Sequence, residues 1–163
     1  MTEQPSPSKL FLARLALILT VTFVVLGVAM HGLSLPVLGR IWHNLIERPS
    51  GPMGFRFVLQ PIMASMAALL DGVKDARNGR APYLWTILTN PNKRSRRLHE
   101  GLIATARVLL LGLGMDLIYQ AIEFKTFHPG EAVILTAFIA FLPYLLLRGL
   151  ITRIASWWIK PGP

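Results

Sequence analysis

Apolar residues in this chain gather into long runs rather than alternating or tracing a single helical stripe. From Leu15 to Gly39 there is no formal charge, and the 16 residues Leu15 to Met30 are almost wholly aliphatic. A spanning helix needs about 20 mostly apolar residues to cross about 30 Å of hydrocarbon. Lys9 and Arg14 raise the competing reading of a signal peptide. The apolar core is at or beyond the usual length for one, and Ala29-Met30-His31 is not a small-x-small cleavage site, so a retained anchor is expected.

Three further segments complete the pattern. Between Arg56 and Asp71 lie 14 uncharged residues, including Gln60 and Pro61. That is short, but the helical pattern runs on through Asp71 to Arg77 and stops at Gly79, a suitable C-terminal residue. Pro61 either begins this helix or kinks it. Leu98 to Ile122 is apolar but punctuated by Glu100, Arg107 and Asp116, with Glu123 just beyond. Glu131 to Arg148 contains 16 charge-free residues, Ala132 to Leu147. Pro129 and Glu131 suit the first turn of this last helix, and Pro143 should bend it and release the carbonyl of Ile139.

The expected fold is therefore an all-α, integral membrane four-helix bundle with short interfacial amphipathic helices. It forms a single membrane domain over 1–163, with spans over 10–33, 55–76, 98–122 and 131–150. A disordered N-terminus (1–9), a basic loop (77–97) and an interfacial tail (151–163) complete it. With four spans, twelve of the seventeen Lys and Arg fall on the side of the two termini and four on the other, with Arg107 inside the third span. The positive-inside rule makes the termini cytoplasmic in a bacterial-type inner membrane. Treating the second segment as merely interfacial would put the loop from Lys74 to Arg97 outside, against that rule.

The connections carry their own patterns. Ser34 can cap and Pro36 can open a short helix in which Val37, Ile41 and Leu45 form one stripe, flanked by Leu38, Trp42 and Ile46. Arg40, His43, Asn44, Glu47 and Arg48 occupy its other face, as in a helix lying at the membrane surface. Pro49-Ser50-Gly51-Pro52 ends it. Pro82 to Leu88 reads as a headgroup-level segment. Trp157 and Trp158, between Arg153 and Lys160, read as an interfacial anchor.

Composition agrees and removes whole classes of function. The chain is 53% hydrophobic and 15% charged, against roughly 25% charged for a soluble domain. Without cysteine there is no disulfide, thiolate metal site or cysteine nucleophile. A net charge of +9 would suggest nucleic acid in a soluble protein, but no soluble domain accompanies it, so none is expected as a partner.

The ionisable residues of the third span are the most informative. A charge at mid-bilayer costs roughly 2.5–3.5 kcal/mol on insertion scales. Arg107 lies about 13 Å past Leu98 by helix rise and leans toward the cytoplasm, where it can snorkel. Asp116 leans toward the bilayer centre on a short side chain and needs a partner. Nine residues place the two on opposite helix faces, Glu100 with Arg107 and Asp116 with Glu123 and Gln120, so both polar faces should be buried. By depth, Arg56, Gln60 and His31 are candidates for Asp116, and Asp71 and Glu100 for Arg107. An inter-helix contact from Asp116 to Arg56 or Gln60 is expected. The expected intramembrane network is thus Glu100, Arg107, Asp116, Gln120, Glu123, Arg56 and Gln60.

A second polar cluster, at the cytoplasmic helix end, comprises Asp71, Lys74, Asp75, Arg77 and Arg80. Asp71 and Asp75 are one turn apart and could share a divalent cation, while Lys74, Arg77 and Arg80 could receive a phosphate. The blander reading is offset ion pairing, Asp71 with Lys74 and Asp75 with the arginines beyond. This run resembles the opening of the CDP-alcohol phosphatidyltransferase signature, which reads Asp-Gly, two residues, then Ala-Arg. Here three residues separate Asp71-Gly72 from Ala76-Arg77, and the downstream Gly and second aspartate pair are missing. The signature is not met.

Lys93, Arg94, Arg96 and Arg97 precede a span and suit anionic lipid headgroups, worth roughly 1 kcal/mol per basic residue. His31, His43, His99 and His128 share no ligand spacing, and only His31 is placed to act as a single haem ligand. No metal and no cofactor is expected. Gly101, Ala104, Gly112 and Gly114 permit close helix approach. The expected function is that of a non-catalytic accessory or assembly subunit of a larger membrane complex, with lipids and other membrane subunits, or copies of itself, as partners. The alternatives are an oligomeric small transporter or channel using the third span, and a membrane enzyme acting on lipid phosphate at Asp71 and Asp75.

Overall fold

The computed structural model describes residues 5–32, 35–51 and 53–159, without the side chains of Asn44 and Phe124. Among them the elements are α1 (Pro7–His31), α2 (Leu35–Glu47), α3 (Arg56–Arg77), α4 (Tyr83–Thr89), α5 (Pro91–Tyr119), α6 (Pro129–Thr136) and α7 (Leu142–Trp158), with no strand. A 3₁₀ turn, Arg48–Ser50, follows α2, and π turns occupy Gln120–Phe124 and Ala137–Phe141. The second π turn joins α6 to α7 in one long helix. Four helices are long and apolar enough to cross a membrane: Pro7–His31, Arg56–Arg77, Pro91–Glu123 and Pro129–Trp158. The chain is an all-α bundle and reads as a multi-pass membrane protein.

Four passes give the bundle two ends. The terminal end holds the start of α1, the end of α3, α4, the start of α5 and the end of α7; α2 and the loops before α3 and α6 form the far end. Helix α3 packs along α7, α1 lies on α5 and α6, and α4 sits against α5 and α7. Lipid tails provide no hydrophobic drive between helices, so close packing of small residues must hold them together. The core accordingly contains Ala13, Ala16, Ala106 and Ala140 in one cluster and Ala64 and Ala68 in another. A Cβ on Gly27 would come within 2.7 Å of the Gly130 backbone, and one on Gly112 within 2.6 Å of Thr136. Gly114 has open space beside it and makes no such contact. Leu17, Ile18, Val21, Val24 and Val25 of α1 face outward, as a helix bordered by lipid requires.

Pro143 is the second residue of α7, directly after the π turn Ala137–Phe141. Its ring would clash with the carbonyl of Ile139, which it cannot serve as a donor, and the widened turn accommodates both faults. Pro61 lies inside α3 rather than at its start. Gly79, at φ +61°, closes α3 in the left-handed region that glycine adopts without strain.

Several boundaries differ from the sequence expectation. Helix α1 begins at Pro7, so residues 7–9 are helical; residues 1–4, also expected to be disordered, lie outside the described set, as do Ser34, Pro52 and Lys160. The basic run Lys93–Arg97 is not a loop but the first turns of α5, because the Asn90 side chain caps that helix by accepting from Lys93 N at 3.3 Å. Pro82 to Leu88 is not a surface segment throughout, since Tyr83 of α4 is fully buried. The tail from Ile151 to Trp158 continues α7 as helix, with both tryptophans exposed.

Candidate intramembrane polar sites

The buried charges collect at the two ends of the bundle. At the far end, Asp116 of α5 is fully buried. Its Oδ1 accepts from Arg48 Nη1 at 2.6 Å and from Arg56 Nη2 at 2.7 Å, and its Oδ2 accepts from Gln120 Nε2 at 2.6 Å. The Arg56 contact is the one that helix depth suggests. Glu131, at the start of α6, extends the network: its Oε2 lies 3.2 Å from Arg48 Nη2, and its Oε1 accepts from Arg40 Nε at 2.7 Å. The guanidinium groups of Arg48 and Arg56 sit 4.9 and 5.3 Å from the centre of the Tyr119 ring. This is the geometry in which a ring face attracts a cation. Three arginines face two carboxylates here, and the ring offsets part of the excess.

The same network reaches the loop before α6. Gln120 Oε1 accepts from His128 N at 2.6 Å, while Gln120 Nε2 donates to His128 O at 3.1 Å. His128 Nδ1 stands 2.8 Å from His31 Nε2 at the end of α1. Burial pushes the His128 imidazole below its ordinary 6.5, and Arg40, His31 and Arg48 press the same way against the pull of Glu131. One ring donates and the other accepts only while at least one of them is neutral.

At the terminal end, Arg148 of α7 is the hub. Its Nε donates to Asp75 Oδ2 at 2.8 Å, its Nη1 donates to Tyr144 Oη at 2.6 Å, and its Nη2 lies 3.5 Å from Glu100 Oε2. Its guanidinium carbon stands 4.2 Å from the Tyr83 ring centre. Arg97 Nη1 bridges Asp75, at 3.2 Å, and Glu100, also at 3.2 Å. Arg80 adds contacts of 3.4 Å to Asp75 and 3.7 Å to Glu100. Asp71 accepts from Tyr144 Oη at 2.7 Å. Tyr83 donates to the Arg97 carbonyl, and burial pushes its phenol up to about 12 against the pull of Arg148, so it stays a donor. Gly101 leaves the room that the Tyr83 hydroxyl fills.

Sequence expectation and geometry part at several residues. Arg107 is exposed rather than buried on a polar helix face, and Glu123 is exposed in the π turn, apart from the Asp116 network. Gln60 is fully buried beside Asp116's helix, but its amide donates weakly to Met115 Sδ at 3.9 Å; Gln120 takes the place proposed for it. Arg97 is buried and turned toward Asp75, which removes it from the lipid-facing set of Lys93, Arg94 and Arg96. Arg94 donates to the Ile87 carbonyl at 2.9 Å. Lys74 and Arg77 are exposed. The shared cation site at Asp71 and Asp75 is not formed: Tyr144 and the arginines fill their lone pairs. Among the described residues no group of three potential ligands could hold a metal ion. Arg48, Glu131, Arg40 and the His31–His128 pair were not anticipated as partners. Glu131 read as a helix-start acid, and Arg48 as the polar face of a surface helix.

Comparison with protein families, with curated proteins and with solved structures finds no match.

Proposed function

We propose that this chain is a non-catalytic membrane subunit that supports the assembly of a larger complex in a bacterial-type inner membrane, with both termini cytoplasmic. The observation that carries this reading is the saturation of the buried carboxylates. Asp116 is held by Arg48, Arg56 and Gln120, Glu131 by Arg40 and Arg48, and Asp75 by Arg97 and Arg148, each set drawn from more than one helix. A carboxylate that must bind and release an ion needs a lone pair left open to it. Carboxylates clamped from several elements fix helix register instead, the best-attested use of buried charge. The outward aliphatic face of α1 supplies a surface for a neighbouring helix or lipid.

Gentle extraction from native membrane, followed by mass measurement of the intact particle, tests this. A foreign membrane subunit in fixed ratio to this chain is the expected result. A homo-oligomer alone counts against it. Ion flux in proteoliposomes that is lost in Glu100→Gln or Asp116→Asn while the fold persists would replace it with the transporter reading. Metal-dependent lipid turnover lost in Asp71→Asn would replace it with the enzyme reading.

A further inference from the structure

We propose that the groove between α1 and α3, floored by α5, binds an anionic phospholipid whose phosphate is held by Arg107 together with Lys9. The groove encloses about 720 Å³, within the roughly 300–1,000 Å³ of small-molecule sites. Its lining is part apolar and part cationic. Leu12 of α1, Ala67 and Leu70 of α3 and Ile103 of α5 line an apolar part. Lys9, Lys74 and Arg96 line the groove toward the terminal end, and Arg107 lies one turn deeper on α5 than Ile103.

Charge balance favours an anion. Six Lys and Arg border the groove against three carboxylates, Asp71, Asp75 and Glu100. Those carboxylates are already engaged by Tyr144, Arg80, Arg96, Arg97 and Arg148. Arg107 is the deciding residue. It stands between buried Ala106 and Val108 in a membrane-length helix, yet its own side chain is exposed. Among the described residues no carboxylate pairs with it. A guanidinium is costly in hydrocarbon unless it reaches water or an anion. Side chains on a helix lean toward its N-terminus, so Arg107 leans down the groove toward the level of Lys9. A phosphodiester there would neutralise these charges while an acyl chain covers Leu12, Leu70 and Ile103. Free phosphate would meet only half of that surface, leaving the apolar wall bare.

The test is native mass spectrometry of the full chain drawn from vesicles of phosphatidylcholine and phosphatidylglycerol in equal parts. One phosphatidylglycerol per chain should persist under conditions that strip phosphatidylcholine. Arg107→Gln should lower its occupancy at least about fivefold, the effect of one basic residue at a membrane surface, and Lys9→Gln should lower it less. Leu70→Trp narrows the apolar part without touching charge and should also lower it, while Arg94→Gln, outside the groove, should not. Arg107, Lys9 and Leu70 are all exposed, so unchanged thermal unfolding should accompany the loss; if one variant fails to fold, the other two carry the test. Equal retention of both lipids, or occupancy indifferent to Arg107→Gln and Leu70→Trp, overturns the proposal. So does displacement by inorganic phosphate at matching affinity, which would make this a free-anion site, or a second chain seated where the lipid should be.

Discussion

The two ends of the bundle use the same chemistry, arginine against carboxylate, in opposite surroundings. At the far end both acids are sealed, Asp116 at 0% exposure and Glu131 at 4%. At the terminal end Asp75 is sealed too, but its neighbours are not: the side chains of Asp71 and Glu100 are 32% and 27% exposed and border an open groove. A sealed network holds each charge hostage to its partner, because no water can replace a lost contact. An open network spreads its charges over more partners and lets solvent screen the remainder. The far end is a lock, and the terminal end is the polar wall of a groove. The difference was set by where the loops fall. At the far end α2 and its 3₁₀ turn fold Arg40 and Arg48 down over the helix ends, while at the terminal end α1 and α3 diverge.

This contrast can be broken by mutation, beginning with the largest effect. Asp116→Asn leaves Arg48 and Arg56 buried without a matching charge, and should cost about 3–5 kcal/mol. Thermal unfolding in detergent should register a large fall in Tm, and wild-type stability there would dissolve the distinction. Asp75→Asn should cost less, about 1.5–3 kcal/mol, because Arg97 and Arg148 retain Glu100 and Asp71. A loss equal to that at Asp116 would show the terminal end to be as dry as the far end. Gly27→Leu forces a side chain into the Gly130 backbone and should cost about 1–3 kcal/mol, measured the same way.

Acid should act on the far end through His128. The folded-state pKa of His128 is lowered, so the unfolded chain takes up its proton first as pH falls. The stability this group contributes is complete above its ordinary value of 6.5 and is lost as pH drops through the lower folded-state value. Melting followed across that range should show the loss, and His128→Gln should flatten it. The smallest effect belongs to Arg107→Gln, expected to shift stability by no more than about 0.5 kcal/mol, as for an exposed residue free of buried contacts.

Spans were legible because apolar runs of 14 to 16 charge-free residues, continued by helical pattern, admit few alternatives, and the depth of Asp116 pointed to Arg56 because both sit near the same end of neighbouring helices. Glu131 was not legible. An acid two residues after a helix-opening proline has an ordinary local explanation, and nothing nearby in sequence marks Arg40 or Arg48, 91 and 83 positions away, as its partners. The histidine pair was hidden for the same reason, since 97 residues separate His31 from His128. Arg107 misled in the other direction. Burial was inferred from its place in a span, whereas the groove beside it depends on α1 and α3 standing apart, which no local pattern records.

The close approach of Gly27 to Gly130 bears on the order in which the molecule comes together. Helix α3 and the α5–α7 region are stitched to one another by ion pairs that form only when all the partners are present. Helix α1 joins through alanines, the packing of Phe23 against Leu113, Ala132 and Phe127, the Gly27–Gly130 contact and the His31–His128 contact at its far end. Synthesised ahead of α3 and α5–α7, it can wait in the bilayer and dock last, after the charges elsewhere have found each other. The first of the four membrane-length helices would then be the final piece of the assembled bundle.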